Sequence, residues 1–131
     1  MSSRKLKPRR SHASGSSAQR NAEAAVAKMF RLARAQFGDA VKSHWFYDGN
    51  TCPGCGRAID TVKWEGEEAM SLNAFIHRKP GVLIGYMLCG RCGEQVMRAG
   101  QGPFRRETAL HAKIERTLIE AYERYMRSLP A

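Results

Sequence analysis

The residues best suited to do chemistry in this chain are its four cysteines, which fall into two closely spaced pairs. The first pair is Cys52 and Cys55, and the second is Cys89 and Cys92. In a C-x-x-C turn two sulfurs can point at one metal ion, and two such turns supply four thiolates in a tetrahedron, the geometry of structural zinc. The spacing therefore predicts one structural Zn²⁺ ion bound by all four cysteines.

Three other uses of these cysteines remain open from the spacing alone. The 33 residues between the two pairs exceed the usual interval of a zinc finger. A disulfide pair, a redox C-x-x-C and an iron–sulfur cluster all use the same residue type, although a redox site normally needs one motif only. Under the zinc interpretation, four thiolates leave no coordination position for water, so the metal is expected to stabilise the fold rather than catalyse a reaction.

No other group of residues indicates an enzyme. The four histidines show no paired spacing, and His44 or His77 as a replacement zinc ligand is the remaining alternative. The acidic residues between positions 60 and 68 are a candidate magnesium site of a nuclease, but they are more typical of a solvated loop. The chain has neither a phosphate-binding G-x-x-x-x-G-K-[ST] loop nor an H-E-x-x-H motif. We therefore expect no catalytic activity. The histidines are His12, His44, His77 and His111, and the acids are Asp60, Glu65, Glu67 and Glu68.

Basic charge is concentrated at the N-terminus. The formal net charge is +10, and residues 1–20 hold six Lys or Arg and no acid, whereas residues 44–101 hold six of each. Flexible basic arms neutralise nucleic-acid phosphates, although a tail that only improves solubility has the same composition. The sequence does not distinguish DNA from RNA. The predicted phosphate-binding residues are Arg4, Lys5, Lys7, Arg9, Arg10 and Arg20 of the arm, Arg31 and Arg34 of the first helix, and Arg78 and Lys79 of a hairpin tip.

The hydrophobic pattern predicts an α+β fold in four segments. Ser16 followed by Gln19 fits a capping box, and apolar residues then recur at helical spacing as far as Phe37. Residues 70–77 and 82–88 form a predicted β-hairpin joined by the turn 78–81. A second helix is predicted from about Pro103 to Ser128. The segments are a disordered basic arm at 1–15, an N-terminal helix at 16–43, a four-cysteine zinc module at 44–101 and a C-terminal helix at 102–131.

Residues 48–99 resemble the zinc-ribbon and treble-clef classes of zinc finger. The resemblance depends on the two cysteine pairs. A glycine after each pair, Gly56 and Gly93, is similar to the knuckles of a ribbon, because glycine lets the chain turn away with positive φ. The stretch 94–99 instead resembles the short helix of a treble clef, whose first turn donates the last two ligands. Some treble-clef proteins are HNH nucleases, but the His-His or His-Asn pattern of that group is not found at a convincing spacing here.

The leading functional hypothesis is a non-catalytic, zinc-stabilised nucleic-acid-binding protein, a subunit of a larger nucleoprotein complex. The alternative is a zinc-stapled protein–protein adaptor or inhibitor that docks through its C-terminal helix, with Tyr122, Tyr125 and Leu129 as anchors. The first residues are charged but lack the apolar stretch of a secretory leader, and no apolar run reaches membrane-spanning length, so we expect neither a signal peptide nor a membrane span. Cysteines kept as thiols then lead us to expect an intracellular, reducing compartment, either cytoplasm or nucleoid.

Overall fold

The computed structural model of the chain describes residues 11–64, 66–101 and 108–130. Its elements are helices and one four-stranded sheet, which confirms the predicted α+β class. In chain order they are α1 (Ser11–Phe37), a 3₁₀ turn (Gly38–Ala40), β1 (Ser43–Phe46), β2 (Thr61–Trp64), β3 (Glu67–His77), β4 (Val82–Leu88), α2 (Gly90–Ala99) and α3 (Ala109–Ser128).

The strands lie in the order β1-β4-β3-β2. Strands β3 and β4 form the predicted hairpin, with Ser71 opposite Leu88 and His77 opposite Val82. Strand β2 pairs antiparallel with the first four residues of β3 only, Glu67–Met70. Strand β1 pairs parallel with β4 on the other side of the hairpin. The edge of β3 that faces away from β4 is therefore covered by β2 only at its beginning.

Strand β4 is the centre of the molecule, because all seven of its residues are buried. A strand that is apolar at every position requires cover on both faces. On one face Leu83 and Met87 pack against α1, and on the other Ile84 and Leu88 pack with α3 and the cysteines. Gly85 faces α1, and a Cβ atom there would collide with Val26. The glycine therefore lets α1 lie directly on the sheet.

Helix α1 begins earlier than the capping pattern predicts. It starts at Ser11 rather than near Ser16, so residues 11–15, which the sequence assigns to the disordered arm, belong to the helix. Pro8 is the last proline before Pro53, so no residue of α1 lacks the N–H that helical hydrogen bonds need. The helix ends at Phe37, and Gly38 follows with φ +65°, as expected of a glycine stop. The remainder of the arm, residues 1–10, lies outside the described residues.

Two other predicted boundaries differ from the structure. The sequence predicts an acidic loop at Glu67 and Glu68, but these residues begin β3 and pair in register with Trp64 and Lys63. The chain reverses at Gly66, which has φ +80°. The connection between β2 and β3 is therefore shorter than the loop that the acidic residues suggest. The predicted start of the C-terminal helix, Pro103, lies outside the described residues. The described helix α3 begins at Ala109.

Candidate metal centre

The first cysteine pair lies in a tight turn between β1 and β2. The backbone N–H of Cys52 donates to the Arg57 carbonyl, and the Cys52 carbonyl accepts from the N–H of Gly56, each at 2.8 Å. The Gly54 N–H donates to Cys52 Sγ at 3.3 Å. Gly56 has φ +81°, the conformation predicted for the glycine that follows this pair. These bonds orient the two cysteines of the pair in one compact knuckle.

The second pair is built differently, because it lies at the start of a helix. Cys89 is the N-cap residue of α2, and its Sγ accepts the backbone N–H of Cys92 at 3.4 Å. The ribbon-like pattern predicts a positive φ at Gly93, but this glycine lies inside α2 and its φ is not positive. The helix predicted for 94–99 is present and begins earlier, at Gly90. The free N–H groups of a helix N-terminus favour negative charge and therefore thiolates.

All four predicted ligands converge on one point. Their sulfur atoms lie within 4.8 Å of one another, and the sulfurs of Cys55 and Cys89 are 3.6 Å apart. A tetrahedral ion with metal–sulfur bonds of about 2.3 Å separates its sulfurs by about 3.8 Å. The four cysteines are therefore a site that can hold one metal ion.

The histidines take other roles where the structure describes their side chains. The His44 ring packs against Phe30, with 4.9 Å between ring centroids, and the His77 ring packs edge-on against Tyr122 at 6.1 Å. His111 completes a capping box with Thr108 at the start of α3. None of these three joins the cysteine group, which contains four cysteines alone.

Three of the sulfurs are enclosed and one is accessible. Cys52, Cys89 and Cys92 are buried in the same apolar cluster as Ile114, whereas Cys55 is exposed. Burial raises the pKa of the Cys89 and Cys92 thiols. At Cys55 burial also raises the pKa, but hydrogen bonds from the Arg57 backbone and the other cysteines outweigh it, and the net effect is a lowered pKa. The accessible sulfur of Cys55 thus has a lowered pKa, whereas burial raises the pKa of Cys89 and Cys92.

Two residues that support the site were not recognised from the sequence. The Asp60 carboxylate accepts the backbone N–H of Gly90 at 2.6 Å, which fixes the start of α2. A Cβ atom at Gly54 would lie 3.0 Å from both Cys92 Sγ and Leu110 Cδ1, so the knuckle packs closely on α2 and α3. Asp60 and Gly90 are thirty positions apart, and no sequence signal links them.

The predicted protein-binding anchors divide into two groups. Tyr122 is half-buried and packs edge-on against Trp45, with ring centroids 5.4 Å apart, so it belongs to the fold rather than to the free surface. Tyr125 also contacts Trp45, at 5.5 Å, but it remains 43% exposed. Leu129, near the end of the described chain, is 43% exposed as well. Tyr125 and Leu129 are the two anchors that remain accessible.

The predicted phosphate-binding residues are spread over two elements. Arg20, Arg31 and Arg34 are exposed on α1, and Arg34 lies 3.2 Å from the Asp39 carboxylate. Arg78 and Lys79 are exposed at the hairpin tip. The other five, which are Arg4, Lys5, Lys7, Arg9 and Arg10, lie outside the described residues.

The chain matches no protein-family model, no curated protein and no solved structure. Within the described ranges, no helix is long and apolar enough to cross a bilayer.

Proposed function

We propose that the metal is a structural Zn²⁺ ion and that the site is a treble clef. Four soft sulfur ligands at tetrahedral spacing suit zinc, and they leave no coordination position for a substrate or water. The order of elements supports the treble clef over the ribbon: a knuckle with Cys52 and Cys55, a hairpin, and a helix whose cap and first turn carry Cys89 and Cys92.

We further propose that the chain is a non-catalytic nucleic-acid-binding protein. The observation that carries this proposal is the separation of charge along the chain. Residues 1–37 hold nine Lys or Arg residues and a single acid, Glu23, whereas the zinc module at 44–101 has no net formal charge. Arg20, Lys28 and Arg31 are exposed on α1, and no carboxylate among the described residues forms an ion pair with them.

The geometry of α1 places part of this positive charge on one face of the helix. The helix has 27 residues and is about 40 Å long, and Val26 holds it against the sheet. Arg20 and Arg31 are eleven positions apart, three helical turns, so they lie on one face about 16 Å apart. A basic row on a rigid helix suits the backbone of a duplex or a folded RNA. Such a row contacts phosphates rather than base edges, so binding is expected to be insensitive to the nucleotide sequence.

The zinc site acts in this scheme at a distance from the nucleic acid. It fixes the hairpin, the hairpin forms the sheet, and the sheet holds α1. The accessible apolar residues at the end of α3 then serve contacts with protein in a larger nucleoprotein complex. Those residues are Tyr125, Met126 and Leu129, between 43% and 46% exposed.

The test is fluorescence anisotropy with labelled DNA and RNA at two salt concentrations, using zinc-loaded protein. Binding should weaken steeply with salt, because each neutralised phosphate releases counterions. Deletion of residues 1–10, which leaves α1 intact, should weaken binding and reduce the salt slope. No binding at low salt would exclude this function.

A charge-matched pair of variants locates the surface. Arg20→Glu with Arg31→Glu reverses two charges on α1, and Arg124→Glu with Arg127→Glu reverses two exposed charges on α3. We expect the first variant to lose most of its binding and the second to keep it. Equal losses would mean that binding follows net charge alone and that α1 is not the surface.

A protein–protein adaptor is the second candidate, and the exposed residues Tyr125, Met126 and Leu129 favour it. In this case Tyr125→Ala with Leu129→Ala should abolish capture of the partner, and salt should have little effect on it. The nucleic-acid variants on α1 would then leave partner binding unchanged.

A further inference from the structure

One sulfur of the metal centre lies at the surface, while the other three are enclosed. The enclosed sulfurs belong to a buried apolar cluster with Ile114, whereas Cys55 is exposed. The exposure continues along the chain, because residues 55–58 are all exposed. A solute in water can therefore reach the centre at Cys55 without displacing the core. The enclosed cysteines are Cys52, Cys89 and Cys92.

The exposed sulfur touches a sulfur from the other cysteine pair. Cys55 Sγ and Cys89 Sγ are 3.6 Å apart, and they belong to different segments, since Cys89 is the N-cap residue of α2. A disulfide bond is about 2.0 Å long, so a small shift of the exposed Cys55 side chain would bring the two sulfurs to bonding distance. The contact therefore combines an accessible sulfur with a buried partner.

We propose that Cys55 and Cys89 are a redox-sensitive pair, which a peroxide oxidises to a disulfide with loss of the bound metal. Ligation to zinc requires both sulfurs as thiolates, which is the form that reacts with oxidants. Cys55 is the point of attack because it is exposed, and Cys89 supplies the second sulfur because it lies in contact with Cys55. This inference rests on the proposed zinc ion and does not depend on nucleic-acid binding.

The reaction consumes one peroxide molecule for each disulfide. The Cys55 thiolate attacks one oxygen of hydrogen peroxide, the O–O bond breaks, and hydroxide leaves, which gives a sulfenic acid at Cys55. The Cys89 thiolate then attacks the Cys55 sulfur, the S–O bond breaks, and a second hydroxide leaves. The two sulfurs lose two electrons in total, and the peroxide gains them. Cys52 and Cys92 then remain as the only thiolates of the centre, too few for a four-coordinate site.

A disulfide between these two residues would keep the fold connected. All four cysteines surround one point, so the metal joins the turn of Cys52 and Cys55 to the start of α2. A bond from Cys55 to Cys89 joins the same two segments, whereas a disulfide within either pair would leave them unlinked. We therefore expect oxidation to remove zinc while the sheet and helices persist, so that a thiol reductant with added zinc restores the loaded protein.

The first test is peroxide treatment of the full-length, zinc-loaded protein, after its zinc content has been measured. A colorimetric chelator reports zinc release, and peptide mapping without reduction locates the disulfide. Trypsin cuts after Arg91 and therefore separates Cys89 from Cys92. Fragmentation of the tryptic peptide that ends at Arg57 distinguishes the two cysteines of the first pair. We expect zinc release together with a disulfide that joins Cys55 to Cys89, and circular dichroism that keeps its helix and sheet signal.

A matched pair of variants tests the role of exposure. Histidine is also a zinc ligand, so Cys55→His keeps four ligands while it removes the exposed sulfur. Cys92→His makes the same change at a buried ligand and leaves the exposed sulfur in place. Because susceptibility to oxidation follows exposure, peroxide should release zinc from Cys55→His about tenfold more slowly than from the unaltered protein. Zinc release from Cys92→His should stay close to the unaltered rate.

Retention of zinc under peroxide would overturn the proposal, and so would any disulfide other than the one between Cys55 and Cys89. Equally fast zinc release from Cys55→His and the unaltered protein would overturn it as well. If either variant binds no zinc, the peptide mapping of the unaltered protein decides alone. An unaltered protein that holds no zinc before treatment would contradict the proposed metal, and this inference with it.

Discussion

The carboxylate of Asp60 lies 2.6 Å from the backbone nitrogen of Gly90, and this contact joins the residue before β2 to the first turn of α2. Cys89 immediately precedes that turn, so the position of the second cysteine pair depends on a side chain outside both pairs. A carboxylate at a helix N-terminus satisfies a free N–H group and interacts favourably with the helix dipole.

Replacing Asp60 by alanine should therefore loosen the metal site. We expect the free energy of unfolding of the zinc-loaded protein to fall by about 1 kcal/mol, with faster loss of zinc to a chelator. Thermal unfolding and a colorimetric zinc-release assay measure the two effects. Glu68→Ala removes an exposed acid of the same sequence region and serves as the control; an equal effect there would mean that general charge, not the contact, is responsible.

Gly54→Ala should damage the site by overpacking. The new Cβ would lie 3.0 Å from Cys92 Sγ and from Leu110 Cδ1, closer than ordinary van der Waals contact. We expect a loss of about 1–3 kcal/mol of unfolding free energy, measured by denaturant titration. Gly100→Ala is the matched control, because its nearest neighbour would be 3.6 Å away, and it should change stability little. A neutral Gly54→Ala would show that the knuckle packs less closely on α3.

Gly85→Ala should displace α1 from the sheet, because its Cβ would collide with Val26. If this collision is the cause, the losses of unfolding free energy in Gly85→Ala and Val26→Ala will not be additive. The double variant should be more stable than the sum of the two single losses, by about 1–3 kcal/mol. Denaturant unfolding of the four proteins in the cycle measures this coupling. Simple additivity would mean that another contact sets the distance between α1 and the sheet.

Tyr122→Ala should lower stability, whereas Leu129→Ala should not. Tyr122 is half-buried between Trp45 and His77, and its removal is expected to cost about 2 kcal/mol. Leu129 is exposed, so its loss should change the free energy of unfolding by less than about 0.5 kcal/mol. Thermal unfolding followed by tryptophan fluorescence measures both. Equal effects would contradict the assignment of Tyr122 to the core.

Zinc binding near neutral pH should release protons, and its affinity should rise with pH. Burial raises the pKa of the Cys89 and Cys92 thiols, so the metal-free site retains protons that zinc must displace. Because the zinc-bound form holds fewer protons, lowering the pH favours the metal-free form. Calorimetric titration in two buffers of different ionisation enthalpy counts the released protons. A buffer-independent enthalpy would contradict thiolate ligation.

The parts of the fold that could be predicted are those whose signals are local. The hairpin follows from two apolar runs around a turn, and the metal ligands follow from the spacing within each pair. The helical setting of Cys92 was harder to recognise, because the two glycines beside it, Gly90 and Gly93, both disfavour helix. Packing against β2 and β3 overrides that preference, since Gly90 lies against Thr61 and Gly93 against Ser71.

Long-range pairings could not be predicted in the same way. The parallel alignment of β1 with β4 joins residues about forty positions apart, and the four residues Ser43–Phe46 give no periodic signal of their own. The Asp60–Gly90 contact also joins residues far apart in the chain, and no local pattern predicts it. Tyr122 fits the apolar stripe of α3, but only the position of Trp45 shows that it is covered.

The parallel pairing of β1 with β4 has a consequence for the order of folding. Phe46 pairs with Gly85, thirty-nine positions along the chain, and closing so long a loop is slow and entropically costly. Once the metal joins Cys52 to Cys89, the path from Phe46 to Gly85 through the ion is only ten residues. That shortening lowers the entropic cost of closure by about 1 kcal/mol. Capture of the metal should thus precede and accelerate docking of β1, and the refolding rate should depend on zinc concentration.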